Sequence, residues 1–228
     1  MPPGRASSPG YAAAVDAASV RWFPPVAARW SIVASVGVLA ACWSAGAVVG
    51  RLGSRPGIAL DAALTDALAP LQRIPPVEVA AQVLAVVGEQ PVSVVVGVAL
   101  AVLVVARRGL RAGLALGIAE TASALQVIAM KAVVHRPGPA VAFFHGAGSF
   151  PSGHTANAAV IATVAGLLVR RRWAWSAGAA YVLLVAMSRV VLAAHWATDT
   201  VAGAAEGAAV AVLVWAATSL VRSGARHA

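Results

Sequence analysis

Residues 188–199 read SRVVLAAHWATD and lie between two apolar runs, one of about residues 174–192 and the other of about 197–221. About 20 apolar residues cross a hydrocarbon core of ~30 Å, so this polar stretch falls where one membrane-spanning helix ends and the next begins. Arg189, His195 and Asp199 therefore stand at a membrane edge. Ionisable side chains are costly there and are functional candidates by default.

Working outward, four more apolar runs cover about residues 31–49, 83–106, 112–134 and 155–169. Together the six runs predict an all-α fold, a bundle of six transmembrane helices. The second of the four is interrupted by Gly88-Glu89-Gln90-Pro91, so the span can start near Pro91 with a separate short helix before it. The first carries Ala45-Gly46-Ala47, which resembles a signal-peptide cleavage site, but its length favours a retained helix. Between the first two, Ile58–Leu71 alternates apolar and acidic positions, as in an amphipathic helix lying in the interface. Residues 1–30 read as a flexible cytoplasmic tail, 31–221 as the membrane domain with a core of about 85–220, and 222–228 as a cytoplasmic tail. No repeat with a period of 20–50 residues is visible.

Composition agrees with a membrane protein: 60% of residues are hydrophobic, 11% are charged and the mean hydropathy is +0.82. A net charge of +9 and a pI near 11.5 raise the question of nucleic acid. The arginines, however, come in small groups at the ends of apolar runs, which is the pattern of membrane topology. With the N-terminus inside, eleven of the seventeen Lys and Arg residues fall on the cytoplasmic side. Of the other six, Lys131, Arg136 and Arg189 belong to polar motifs, leaving Arg51, Arg55 and Arg73 outside. Cys42 is the sole cysteine, so neither an intramolecular disulfide nor a cysteine metal site can form.

That alternation brings three motifs to one face: KAVVHRPGP at 131–139, FPSGH at 150–154, and SRVVLAAHWATD at 188–199. His195 and Asp199, four residues apart, fit one helix face, where the carboxylate can hold one imidazole nitrogen and leave the other free as a nucleophile. Ser152 suits a helix N-cap and Gly153 allows close backbone approach, while His154 falls in the first turn of the helix that follows. Free N–H groups there make an anion site, and His154 adds a general acid beside the nucleophile. Lys131, the one lysine beside sixteen arginines, offers with Arg136 and Arg189 the cations for a phosphoryl group. Glu120 and Glu206 lie inside the third and sixth spans and read first as carboxyls hydrogen-bonded between helices. His135 and His145 read as polar loop groups or headgroup contacts.

These motifs resemble the type 2 phosphatidic acid phosphatase superfamily, the histidine phosphatases related to the vanadium haloperoxidases, with the pattern K-x6-R-P, P-S-G-H and S-R-x5-H-x3-D. The second motif matches at Pro151–His154 and the third at Ser188, Arg189, His195 and Asp199. In the first, Gly138 occupies the arginine position, and an Arg-Pro pair stands two residues earlier at Arg136 and Pro137. The resemblance implies a phosphohistidine on His195, oriented by Asp199, with His154 protonating the leaving oxygen. It further implies phosphate contacts from Lys131, Arg189 and the Ser152 and Gly153 backbone, with Arg136 replacing the missing arginine, and neither cofactor nor metal.

The expected function is a metal-independent lipid phosphatase at the outer face of a bacterial cytoplasmic membrane, surrounded by membrane lipids and having no nucleic-acid partner. A polyprenyl diphosphate is the first substrate considered, with phosphatidylglycerol phosphate and phosphatidic acid as alternatives. A lipid-phosphate phosphotransferase and a degenerate lipid-phosphate binder are the rival readings.

Overall fold

A computed structural model describes residues 20–52, 59–89, 91–139 and 148–224. Helix α1 spans Pro25–Leu52, α2 Ala59–Leu68, α3 Pro75–Gly88, α4 Val92–Arg108, α5 Leu110–Val134, α6 Gly153–Val169, α7 Arg172–Val191 and α8 Ala197–Gly224. A short 3₁₀ turn, Ala69–Arg73, joins α2 to α3. By length and composition α1, α5, α7 and α8 can each cross a membrane. α3 and α4, which meet at a 67° bend, can together make a fifth span, and α6 is a shorter apolar helix of 17 residues, so the described residues hold four or five candidate spans where six were expected. The chain is a multi-pass helical membrane protein.

The bend answers the expectation of one span over about 83–106. Gly88 ends α3, and Pro91 before α4 cannot donate to a continuing helical ladder. Gly109, at φ +89, then turns the chain from α4 into α5, a backbone conformation that L side chains rarely adopt. The first helix is longer than the expected 31–49, taking in Arg29 and Trp30 at its start.

α8 lies at the centre, packed against α1, α5 and α6. Small residues let the backbones close: a Cβ on Gly203 or Gly207 would collide with the Ser152 or Ala156 carbonyl of α6 and its entry turn. One apolar cluster joins Leu116, Val160, Val164 and Trp215, capped by Trp22 stacked on Trp215 with ring centroids 4.4 Å apart. A second joins Cys42 and Val49 of α1 to Met130, Phe150 and Ala202, so α1 is built into the bundle. Outward, large apolar side chains such as Val33, Val95, Leu125 and Leu183 are mostly exposed. A patch of that extent is untenable in water and suits lipid.

The segment read as an interfacial helix contains a helix, α2, but its acidic positions do not all face water. Asp61 is completely buried, aimed at the start of α8.

Candidate active site

The C-terminal ends of α5 and α7, the first turn of α6 and the turn before α8 converge on one cavity of about 1700 Å³, lined among others by Lys131, Gly153, His154, Arg189 and His195. Downward it passes between α4 and α5, past Glu120, as far as Ala101 and Gly117. Lys131 and Gly117 are fourteen residues apart on α5, so the cavity reaches about 21 Å into the bundle at 1.5 Å per residue.

His195 stands in the turn between α7 and α8 rather than inside the helix. The Arg189 carbonyl accepts from the N–H groups of both Ala194 and His195, at 3.0 and 3.3 Å, and so fixes this turn to the end of α7. Asp199 follows in the first turn of α8, where its Oδ2 accepts the Trp196 N–H at 3.0 Å and lies 3.6 Å from Nδ1 of His195. That separation is longer than a hydrogen bond, and Nδ1 has no other partner; such contacts commonly tighten when substrate binds. With the carboxylate at the Nδ1 edge, Nε2 is the nitrogen left for the cavity. Burial holds the ring's pKa below the usual histidine value, opposed by the Asp199 carboxylate.

Arg189 is 2% exposed, and its Nε and Nη1 are buried without a hydrogen-bond partner. Buried donors are nearly always satisfied, so an unpartnered guanidinium lining a cavity is a candidate contact for an anionic group. Lys131 lines the same cavity, its ammonium donating to the Gly148 carbonyl at 2.8 Å.

Ser152 departs from expectation. Its hydroxyl makes no cap bond to the helix and instead accepts from Thr155 Oγ1 at 3.1 Å. Its N–H donates to the Asp199 carbonyl at 2.9 Å and is therefore already used, and the residue is fully buried. Gly153 and His154 do line the cavity, and the uncapped first turn of α6 leaves its N–H groups for an anion there. The His154 Nε2 sits 3.0 Å from the Ala85 carbonyl of α3. A carbonyl only accepts, so the proton is on Nε2 and the lone pair on Nδ1. A Cβ at Gly88 would strike this ring, so the end of α3 is shaped around it.

Arg136, expected as a phosphate ligand, is held elsewhere. Although it borders the cavity, one terminal nitrogen donates to Asp61 Oδ2 at 2.7 Å and the other to Asp199 Oδ1 at 2.5 Å and Thr198 Oγ1 at 2.8 Å. The guanidinium also stands 5.6 Å from the Trp196 ring centroid, whose indole N–H donates to the Pro137 carbonyl at 2.9 Å. Two carboxylates outcompete a diffusible anion for the same fork, which explains the correction. Asp61 and Thr198 escaped the sequence reading. The available signal was that Asp61 is one of only eight acidic residues in the chain.

Glu120 accepts from Asn157 Nδ2 at 2.5 Å, joining α5 to α6, and Glu206 accepts from Ser123 Oγ at 2.8 Å, joining α8 to α5. Both act as polar links between helices, as expected, and Glu120 also lines the cavity. His135 ends α5 in a left-handed conformation and borders the cavity mouth, while His145 lies outside the described residues. Among the described residues no group of three or more His, Cys, Asp or Glu side chains is placed to hold a metal ion.

Residues 108–222, half of the chain, match the family model of the PAP2 superfamily. The chain belongs to the PAP2 superfamily. The match begins at the end of α4 and runs to the last turns of α8, so it contains all three polar motifs of this PAP2 protein. A solved structure described as the first transmembrane PAP2 type phosphatidylglycerolphosphate phosphatase, from Bacillus subtilis, is similar with a TM-score of 0.50 and 21% identity. The likeness covers 83% of this chain and 93% of that one, and at such identity it shows a shared fold. No curated protein matches the chain.

Proposed function

We propose that this PAP2 protein is a membrane lipid phosphatase that hydrolyses a phosphomonoester or diphosphate through a phosphohistidine on His195. The observation that carries the reading is Arg189: a buried guanidinium with unpartnered donors, beside His195, at the head of a cavity that continues about 21 Å between apolar helices. The charged head of a lipid phosphate meets the cation and its chain follows the apolar wall.

In the first step Nε2 of neutral His195 attacks phosphorus and the bond to the leaving oxygen breaks. That oxygen takes a proton from His154, which enters this step carrying a second proton on the Nδ1 lone pair while its Nε2–H rests on the Ala85 carbonyl. In the second step water gives its proton back to His154 and attacks phosphorus, and the phosphorus–nitrogen bond breaks to free phosphate and His195. Lys131, Arg189 and the first N–H groups of α6 stabilise the charge on the phosphoryl oxygens, each preorganised donor worth about 10²–10³ in rate.

A polyprenyl diphosphate is the first substrate to test, ahead of phosphatidylglycerol phosphate and phosphatidic acid. The arginine asymmetry supports an arrangement with both termini in the cytoplasm and the cavity mouth on the opposite face. The purified protein should release phosphate from at least one of these lipids, and should do so in excess EDTA. Transfer to an added alcohol in place of release would make it a phosphotransferase, and no turnover with any lipid phosphate would defeat the reading.

A further inference from the structure

Asp61 comes from a segment far from the three motifs, yet it is bonded to their centre. Its Oδ1 accepts the Thr198 N–H at 2.9 Å, one of the orphan donors at the start of α8. Its Oδ2 accepts the Thr198 hydroxyl and one arm of Arg136, each at 2.7 Å. The other arm of Arg136 holds Asp199 Oδ1. Asp61, Arg136 and Asp199 are 0%, 2% and 0% exposed, so water does little to screen them.

The charges make this chain of contacts more than a clamp. Arg136 bound to Asp199 alone would form a neutral pair, and the carboxylate facing His195 would lose much of its pull on a positive ring. With Asp61 on the opposite arm, the buried set carries one net negative charge, and its Asp199 end faces the imidazole. The other groups around the ring are Lys131 from α5, Arg189 from α7 and His154 from α6, with Glu89 facing Arg189 from the α3–α4 bend. None of these supplies a second carboxylate against His195.

We propose that Asp61 is a positioning residue for the catalytic pair: through Arg136 and Thr198 it sets the first turn of α8, and its charge leaves Asp199 able to support a positive His195. The proposal rests on the reading of His195 as the nucleophile. It gives the segment between the first two spans a part in the chemistry through the residues it holds.

The test measures kcat, KM and pH dependence of the full-length protein in detergent with dioctanoyl phosphatidate, for wild type, Asp61→Asn, Arg136→Gln and the double variant. Asp61→Asn keeps the shape and removes one negative charge. Its kcat should fall on the order of ten- to a hundredfold, with KM within about twofold. The acid limb of kcat/KM should move to lower pH, because a less negative surround disfavours the protonated ring. Arg136→Gln leaves two carboxylates unopposed and should move the limb to higher pH. The double variant restores the net charge of the set, and its limb should return toward that of wild type. A packing role alone would leave the limbs in place, so unmoved limbs overturn the proposal. If Asp61→Asn does not fold, Arg136→Gln, assayed below its melting temperature, decides by the same criterion: a limb that does not move to higher pH overturns the proposal. An inactive His195→Ala together with unmoved limbs defeats this inference alone, whereas an active His195→Ala defeats the phosphohistidine reading and this inference with it.

Discussion

The main-chain N–H of Ser152 donates to the carbonyl oxygen of Asp199 at 2.9 Å, joining the second motif to the third without any side chain. This contact needs α6 and α8 in near backbone contact, which the missing side chains of Gly203 and Gly207 allow. A methyl group at either position would meet a carbonyl that has nowhere to retreat. Gly203→Ala and Gly207→Ala should each destabilise the protein by about 1–3 kcal/mol, the usual cost of overpacking, and lower kcat. Gly37→Ala, where a Cβ meets nothing within 4 Å, is the matched control and should be near neutral or slightly stabilising in detergent thermal melts.

His195→Ala should insert and fold but lose turnover, since no neighbouring group can replace Nε2. Asp199→Asn should retain a small residue of activity, because it alters the orientation and charge of the imidazole without removing it. Rapid-quench labelling of wild type should trap phosphate on His195. Wild-type-like turnover by His195→Ala would exclude it as the nucleophile.

Arg136→Ala should appear first as a folding defect. It leaves Asp61 and Asp199 as two buried carboxylates without their shared cation, and breaking such a set costs about 3–5 kcal/mol. Gly138 is exposed at the cavity edge, its Cβ direction open to within 3.7 Å of the Ala194 carbonyl. Gly138→Arg should therefore fit, add a free guanidinium and raise kcat/KM, by on the order of tenfold or less for an exposed donor. A stable Arg136→Ala protein with only a raised KM would return Arg136 to the role of phosphate ligand.

The acid limb of kcat/KM should lie below the ordinary histidine value of about 6.5, because burial favours the neutral, nucleophilic ring of His195. Stability carries the same sign. Below about pH 6.5 the unfolded chain takes up a proton that the folded ring refuses, so this contribution to stability is lost as pH falls. His195→Gln should flatten that part of the stability profile, read from melting temperature against pH.

Topology is testable without activity. In a Cys42→Ala background, a cysteine at exposed Arg73 should react with an impermeant thiol reagent added to intact cells, and one at exposed Arg171 should not. The opposite labelling would turn the active site toward the cytoplasm.

Much of the architecture was legible because the bilayer imposes a simple rule: a span must be long and apolar, and arginine marks the side that stays in. The runs about 112–134, 174–192 and 197–221 became α5, α7 and α8 within a few residues. Even the Gly88–Pro91 interruption pointed to the α3–α4 break. His154, Arg189 and His195 were legible as site candidates because each is a costly polar residue at a helix end, and the fold does bring them to one cavity.

Local pattern carried the helices, their order and the polar ends that face one another. Tertiary structure alone decided which partner each polar group took. Arg136 has the same spacing from Lys131 whether its guanidinium meets a phosphate or a carboxylate, and only the arrival of Asp61 from α2 settles the matter. The Ser152 N–H likewise has no memory in sequence of the Asp199 carbonyl that uses it. Hydrogen bonds and ion pairs depend on distances of a few tenths of an ångström between segments far apart in the chain, and no periodicity along one segment encodes them.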